Sequence, residues 1–217
     1  MLAYKHFMKL TNHAPFTGSV AIKNKEGFME LSKVIKERRS VRRFKAEPVP
    51  KNVLEKILNL AIWAPSAMNR QDWYFVVIQG EKKEAFLKIS ASAFEHFKPI
   101  LEKNFKDKPK IIEGMKVFFE TYGAAPVIIM AYAGKLPTGQ DDVWSVSLAV
   151  QNLMLAACEA GLGTVWTDGV VFIKEKEINE LMEIKDRKLV CIIPMGYPAE
   201  EPKTPPRREG RIQWVGF

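Results

Sequence analysis

The segment from Ser145 to Ala160 places the strongest constraint on how this chain can fold. Apolar side chains cover nearly its whole circumference, so it predicts a helix with little polar surface. A helix of this kind must be buried on most of its sides. In a chain of 217 residues, it is therefore either the central helix of a domain or part of an interface between subunits.

Helical and extended segments alternate on both sides of this helix. Apolar spacing predicts further helices from Met29, over residues 51–63 and over Lys174–Glu183, and an irregular helical region over residues 81–121 broken at Pro99, Pro109 and Gly114. β-branched and aromatic runs predict extended segments at Trp73–Gln79, Pro126–Ala133, Thr164–Thr167 and Leu189–Met195. The pattern indicates one mixed domain over residues 29–217, preceded by an N-terminal arm or tail, residues 1–28.

The net charge of +8 is compatible with three kinds of partner: a nucleic acid, an anionic membrane or a phosphorylated small molecule. Six Lys or Arg residues lie within residues 36–45, and four lie within residues 203–211. Two local clusters suit one anionic ligand better than a long duplex. We therefore expect no nucleic-acid partner.

The expected location of the protein in the cell rests on segments that the sequence lacks. It has no apolar run long enough to span a membrane and no apolar core of a secretion signal, so no membrane association is expected. Cys158 and Cys191 are solitary and stand in apolar surroundings, which is typical of buried core thiols in a reducing compartment. We expect a cytoplasmic protein.

The basic segment Arg38-Arg39-Ser40-Val41-Arg42-Arg43-Phe44 follows the first predicted helix. Cations at a helix C-terminus complement the helix dipole, which accounts for one or two of them. It does not account for Ser40 between them, nor for a second arginine pair at Arg207-Arg208. Guanidinium groups bind phosphate in a bidentate manner and a hydroxyl adds a donor, so a phosphate site is the favoured interpretation.

A second polar segment runs directly into the first predicted strand: Ala64-Pro65-Ser66-Ala67-Met68-Asn69-Arg70-Gln71-Asp72-Trp73. The amides of Asn69 and Gln71 can both donate to and accept from the edge of a heterocycle. Alone, the segment is equally well explained as an exposed turn. Together with the arginines, it indicates a site for a flavin or a nucleotide.

The usual catalytic and metal-binding motifs are missing. The three histidines are isolated, no ligand spacing suggests a metal, and Asp141-Asp142 suits a loop or a helix N-cap better than acid–base catalysis. Gly161-Leu162-Gly163 lacks the third glycine of a dinucleotide fingerprint and follows a helix, so it is expected to end that helix. Such a protein often takes its chemistry from an organic cofactor.

These segments, in this order and separation, resemble the FMN-dependent nitroreductase family from about residue 29 to residue 215. The resemblance rests on the two polar segments, the apolar helix ending in Gly161-Leu162-Gly163-Thr164, and the late arginine pair. It implies an α+β fold, with a mixed, largely antiparallel central sheet flanked by helices, in an intertwined homodimer. It implies FMN as cofactor and NADH or NADPH as electron donor.

The resemblance also implies which residues contact the cofactor, while the flavin itself carries the chemistry and no residue is expected to be catalytic. Arg38, Arg39, Ser40 and Arg42 would hold its phosphate, ribityl chain and ring edge, and Arg207 and Arg208 would complete the phosphate site. Pro65, Ser66, Ala67, Met68 and Asn69 would approach it, several of them from the partner subunit, with Gln71 adding an amide. Trp166, Thr167, Asp168 and Gly169 would lie along one face.

The implied reaction passes two electrons from NAD(P)H to a small organic acceptor: a nitroaromatic, a quinone, an enone or a free flavin. Flavin fragmentation or reductive dehalogenation on the same scaffold is the alternative, and a basic nucleic-acid-binding domain is the alternative of another class. One departure is Asp72, which stands where the family commonly has proline, so a less rigid turn is expected. Phe94, Phe97, Phe105, Phe118, Phe119 and Tyr122 either cap the flavin or pack internally.

Overall fold

A computed structural model describes residues 30–217, so the expectations for residues 1–28 lie outside the described part of the chain. The helices are α1 (Leu31–Glu37), α2 (Lys51–Ala61), α3 (Gly80–Asn104), α4 (Pro109–Thr121), α5 (Val143–Glu159) and α6 (Gly169–Met182). The strands are β1 (Tyr74–Ile78), β2 (Val127–Ala133), β3 (Gly163–Thr164) and β4 (Lys188–Gly196). Short 3₁₀ turns lie at Ala67–Asn69 and Tyr122–Ala124.

The four strands form one sheet in the order β1-β2-β4-β3, and all three strand pairs are antiparallel. A single parallel bridge joins Ser40, just after α1, to Thr164 at the β3 edge. The expectation of an α+β fold with a mixed, largely antiparallel sheet is therefore confirmed.

Helices cover both faces of the sheet, which explains why β2 and β4 are apolar throughout. Along β2, Ile128, Met130 and Tyr132 face a core built with α3, α4 and α6. The alternate residues, Val127, Ile129, Ala131 and Ala133, face a second core built with α2 and α5. Because side chains alternate between the two faces of the strand, β2 contributes residues to both cores.

The apolar helix α5 is buried on one face only within this chain. Val146, Val150 and Leu153 are fully buried against the sheet and α2, whereas Trp144 is 77% exposed and Leu148 is 48% exposed. Of the two explanations for its composition, the exposed face favours a subunit interface. Its N-cap is Asp142, whose carboxylate accepts a hydrogen bond from Ser145 N at 3.2 Å, as expected for this acidic pair.

Two of the three helix breaks predicted for residues 81–121, those at Pro99 and Gly114, are wrong. α3 continues through Pro99, which lies on the exposed side of the helix above Glu95, so the carbonyl that proline leaves without a donor can bond water. α4 likewise contains Gly114, and only Pro109 marks a boundary, as the first residue of α4.

The last helix also begins earlier than its sequence indicates. α6 starts at Gly169 rather than Lys174, because the β-branched residues Val170 and Val171 are buried in the core between the helices and the sheet. Tertiary packing overrides their preference for extended structure here. The helix end at Gly161 is confirmed: Gly161 has a φ of 76°, and Leu162 N donates to Ala157 O at 2.8 Å.

Both cysteines are free thiols, with Cys191 buried and Cys158 partly so. Burial raises the pKa of each thiol, which disfavours the reactive thiolate. Among residues 30–217, no helix is both long and apolar enough to cross a membrane.

The contact between Gly163 and Val41 gives a testable prediction. A Cβ at residue 163 would lie 2.7 Å from Val41 Cβ, so Gly163→Ala should lower the free energy of unfolding by about 1–3 kcal/mol. Gly114 within α4 has open space around it, so Gly114→Ala should instead raise that free energy by about 0.5–1 kcal/mol. Urea denaturation of the two variants measures both values, and effects of the same sign would contradict the close contact.

Candidate functional site

The basic segment after α1 is extended and fixed to the sheet edge. Val41 N donates to Thr164 O at 3.0 Å, and Phe44 N donates to Gly123 O at 2.9 Å. Val41 and Phe44 are both 5% exposed, and they anchor the segment in the core. Arg42 and Arg43 lie between these anchors and are exposed.

The arginine side chains of this segment fall into two groups. Arg39 donates to Thr204 Oγ1 at 3.2 Å and to Lys36 O at 2.6 Å, and Arg43 donates to Glu200 Oε2 at 3.0 Å. The guanidinium groups of Arg38 and Arg42 have no hydrogen-bond or ion-pair partner within residues 30–217. Among the arginines of the basic segment, these two are therefore available to an anion.

Glu200 fastens the C-terminal tail onto the basic segment. Its carboxylate accepts from Arg42 N at 2.6 Å and from Arg43 Nε at 3.0 Å, and Ala199 N donates to Arg43 O at 2.9 Å. Partial burial acts to raise the pKa of Glu200, but the hydrogen bonds from Arg42 and Arg43 outweigh it, so this pKa is lowered from its ordinary value. The tail thus neutralises Arg43 and fixes the backbone of Arg42.

A cavity of about 860 Å³ opens beside Arg42. Its second wall is the turn Trp166–Gly169, which is held to β4 by two backbone hydrogen bonds between Thr167 and Ile192, at 3.0 and 2.8 Å. Trp166 Nε1 donates to Asp168 Oδ2 at 3.2 Å within this turn. The cavity thus brings the predicted residues Arg42 and Trp166–Gly169 together.

The third wall of the cavity is apolar. One face of α4 contributes Ile111, Met115 and Phe118, spaced four and three residues apart, and Phe97 of α3 joins them. Of the aromatic residues proposed as a cap, Phe97, Phe118, Phe119 and Tyr122 line the cavity, while Phe94 and Phe105 belong to the internal core. Charged side chains at the cavity include Lys110 and Glu113 of α4.

The second polar segment forms an exposed turn with an unusual backbone. Met68, Asn69 and Gln71 have φ values of 52°, 54° and 53°, in the left-handed region that side chains other than glycine disfavour. Gln71 Nε2 donates to Asn69 Oδ1 at 2.9 Å, so the two predicted amides bond to each other. Ala67 N donates to Ser145 Oγ at 3.2 Å, which ties the turn to the N-terminus of α5.

Asp72 holds the end of this turn through polar contacts. Its carboxylate accepts from Arg70 Nε at 2.7 Å, and its carbonyl accepts from Gly134 N at 3.1 Å and from Arg187 at 2.8 Å. These contacts restrain the turn at Asp72, where the sequence led us to expect a less rigid turn.

The remaining predicted residues lie elsewhere within one chain. None of Pro65, Ser66, Ala67, Met68, Asn69 and Gln71 lines the cavity beside Arg42. Arg207 and Arg208 are exposed on the tail, where Arg207 donates to Pro205 O at 3.3 Å. Ser40 pairs with Thr164 at the sheet edge, and neither it nor Arg38 and Arg39 line the cavity. Of the predicted ligands, the cavity is thus lined by Arg42 and Trp166–Gly169.

The residues missed from the sequence are those whose role depends on distant contacts. Ile111 and Met115 carried a usable signal, because they share a helical stripe with Phe118. Glu200 carried almost none, since its basic partners lie 157 and 158 positions earlier in the chain.

Comparison with models of known protein families identifies the family of this chain. The model of the nitroreductase family matches residues 35–197, which include the basic segment, the polar turn and Trp166–Gly169. The chain belongs to the nitroreductase family.

Two curated proteins similar to this nitroreductase-family chain differ in the activity that their names give. A putative NAD(P)H nitroreductase, YfhC of Bacillus subtilis, is 31% identical over 182 residues, which cover 82% of this chain and 89% of that protein. An iodotyrosine deiodinase of Thermotoga neapolitana is 32% identical over 192 residues, covering 86% of this chain and 98% of that protein.

Solved structures agree with the fold. A nitroreductase-like protein from Bacillus cereus superposes with a TM-score of 0.68 at 25% identity, covering 89% of this chain and all of that one. An iodotyrosine deiodinase bound to FMN and 3-iodo-L-tyrosine superposes with a TM-score of 0.67 at 29% identity, covering 86% of this chain and all of that one.

The lowered pKa of Glu200 predicts a pH-dependent contribution to stability. Glu200→Gln should lower the free energy of unfolding by about 1 kcal/mol at neutral pH, because a charge-assisted contact is lost. The carboxylate is favoured in the folded state, so its contribution is complete above the ordinary pKa of glutamate and is lost as the pH falls through the lowered value.

Urea denaturation at a series of pH values measures the difference between this variant and the wild type. Glu201→Gln, at an exposed neighbouring position, is the matched control and should change little at any pH. A Glu200→Gln effect that stays constant into the acid range would contradict the lowered pKa.

Proposed function

We propose that this protein is an FMN-dependent oxidoreductase that passes two electrons from NADH or NADPH to a small organic acceptor, such as a nitroaromatic, a quinone, an enone or a flavin. One observation carries the proposal: an apolar cavity of about 860 Å³ opens between Arg42 and the Trp166–Gly169 turn. The names of the curated relatives support the same reaction class.

The residues present fit a flavin. Its ring needs a flat apolar space with a few polar groups, and its phosphate needs cations without other partners. The face of α4 supplies the first, and the guanidinium group of Arg42, which borders the cavity, supplies the second. Arg38, four residues earlier on the same basic segment, is a further cation outside the cavity lining. The Tyr122 hydroxyl, buried at this cavity without a hydrogen-bond partner among residues 30–217, is a further unused polar group.

Each group of predicted ligands has a distinct task in this proposal. Arg38, Ser40 and Arg42 hold the phosphate, ribityl chain and ring edge, with Arg207 and Arg208 completing the phosphate site. Trp166–Gly169 would border the flavin, and the apolar α4 side chains would exclude water from it. FMN would supply the two-electron chemistry that these side chains lack, and the positive charge of Arg42 would stabilise negative charge on it.

A homodimer would complete the site. Apolar side chains of helices that pack together remain exposed, among them Leu31 and Ile35 of α1, Trp63 beside α2, and Trp144 and Leu148 of α5. The tail adds Ile212, Trp214, Val215 and Phe217, each at least 71% exposed. Surfaces of this kind mark interfaces. We infer that a second copy covers them and brings its Pro65–Asn69 turn and Gln71 to the cavity.

Reductive dehalogenation of an aromatic amino acid is a second candidate reaction. The deiodinase relatives favour it, and so does the rim of the cavity, where Lys110 and Glu113 present opposite charges suited to a carboxylate and an ammonium group. For either reaction, the free state of Cys158 and Cys191 supports a reducing, cytoplasmic location.

Anaerobic stopped-flow spectroscopy tests the proposed function. The purified protein should carry FMN, lose its yellow absorbance on mixing with NADH or NADPH, and regain it with one or more acceptors from a panel. The panel contains a nitroaromatic, a quinone, an enone, free flavin and iodotyrosine, and iodide release identifies the second candidate. A protein that cannot bind FMN would rule out both.

Variants in the basic segment belong to the same test. Arg38→Ala and Arg42→Ala should raise the Kd for FMN by about 10- to 100-fold, since each removes a hydrogen bond between charged groups. Lys45→Ala is the control, because it removes an exposed cation directly after the basic segment that is not one of the predicted ligands. Equal Kd values for all three variants and the wild type would show that the phosphate lies elsewhere.

The dimer has its own prediction. The wild type should elute as a dimer, and Leu148→Glu should yield monomers with much lower FMN content, because it places a charge in the apolar interface. Ile100→Glu is a matched control: Ile100 is 57% exposed on α3, a helix that packs against α4 and α6, so the dimer should persist. Light scattering after size exclusion measures both, and a monomeric wild type with full FMN occupancy would contradict the proposed site.

A further inference from the structure

The exposed turn of the second polar segment, residues 66–72, keeps a backbone that some of its side chains disfavour. Met68, Asn69 and Gln71 have φ values of 52°, 54° and 53°. Asparagine tolerates the left-handed region, whereas methionine and glutamine carry a steric cost there. Contacts around the turn must therefore hold it in this conformation.

Hydrogen bonds inside the turn close it without fixing it to the rest of the fold. Gln71 N donates to Ser66 Oγ at 3.0 Å, and Asn69 N donates to Ser66 O at 3.1 Å. Within residues 30–217, a single hydrogen bond joins residues 66–69 to a residue outside the turn: Ala67 N donates to Ser145 Oγ at 3.2 Å. The orientation of this half of the turn thus depends on one hydroxyl.

A chain of four hydrogen bonds attaches both ends of the turn to the same frame. Asp72 O accepts from Gly134 N at 3.1 Å, and Gly134 O accepts from Asp142 N at 2.9 Å. Asp142 Oδ1 accepts from Ser145 N at 3.2 Å, and Ser145 Oγ leads back to Ala67. The Asp142 carboxylate and the Ser145 hydroxyl are the two side-chain groups in this chain, so they are the links that depend on the sequence.

Both of these links are buried within one chain. Asp142 is 2% exposed and Ser145 is 4% exposed, and a hydrogen bond in such surroundings is electrostatically stronger than one in water. The exposed face of α5, with Trp144 and Leu148, does not include Ser145. A substitution at Ser145 therefore acts on the turn and leaves the proposed interface unchanged.

We propose that Ser145 is a positioning residue whose hydroxyl, held in place by Asp142, fixes the turn in the conformation that presents Asn69 to the cofactor. This inference rests on the proposed function, in which the turn of a second copy reaches the cavity. Ser145 lies in the first turn of α5, the helix whose exposed face is the proposed interface. The helix that joins the two copies thus also orients the turn.

A double-mutant cycle tests this role, because a residue that acts through the turn gives effects that are not additive. Asn69→Ala should raise the Kd for FMN about five- to tenfold, the equivalent of one hydrogen bond. Ser145→Ala should raise it by a similar factor, because the turn no longer holds Asn69 in place. The double variant should show the factor of one single variant and not the product of the two, as measured by flavin fluorescence during titration.

Ser147→Ala is the matched control. Ser147 Oγ donates to Val143 O at 2.7 Å within α5 and makes no contact with the turn, so its FMN Kd should equal that of the wild type. Asp142→Ala breaks the other side-chain link and should repeat the non-additive effect with Asn69→Ala. It provides the same test if Ser145→Ala folds poorly.

Three results would overturn the inference while leaving the proposed function intact. These are an unchanged Kd in Ser145→Ala, effects that multiply in the double variant, and an increase in Ser147→Ala as large as that in Ser145→Ala. A wild type that does not bind FMN would overturn both the inference and the proposed function.

Discussion

The pairing of Val41 with β3 determines where the charged groups of the candidate site lie. Val41 fills the space that a side chain at residue 163 would occupy, and its N–H bonds to Thr164 O at 3.0 Å. Val41 and Phe44 are buried and the two arginines between them are exposed, so a shift by one residue would place Arg42 in the buried position that Val41 fills. The absence of a side chain at Gly163 therefore sets the register in which Arg42 faces the cavity and Arg43 meets Glu200.

Local pattern was sufficient for most of the fold. The central strands were identifiable because both of their faces are buried, which leaves continuous runs such as Val127–Ala133. The composition of α5 indicated either a buried central helix or a helix at a subunit interface. One face of α5 is buried and the other is exposed, so composition alone could not distinguish the two. The break predicted at Pro99 was wrong because solvent can bond the carbonyl that the proline leaves without a donor. The start of α6 was placed too late because the packing of Val170 and Val171 outweighs their preference for extended structure.

The candidate site was less predictable, because its parts meet through contacts that no local pattern records. The sequence pointed to Arg42 and to Trp166–Gly169, and these do line one cavity. It gave no indication that Arg43 donates to Glu200 and that Arg39 donates to Thr204. Because these two arginines are paired, the guanidinium groups of Arg38 and Arg42 are the ones available to an anion in the basic segment.

The net charge of +8 gains a specific meaning from these contacts. A protein that follows a nucleic-acid backbone needs a row of cations open to solvent. Here the tail engages two arginines of the densest basic cluster, and a third, Arg42, borders a cavity lined mainly by Ile111, Met115, Phe118 and other apolar side chains. An anion bound there would contact apolar side chains as well as Arg42, which suits a phosphorylated aromatic cofactor such as FMN.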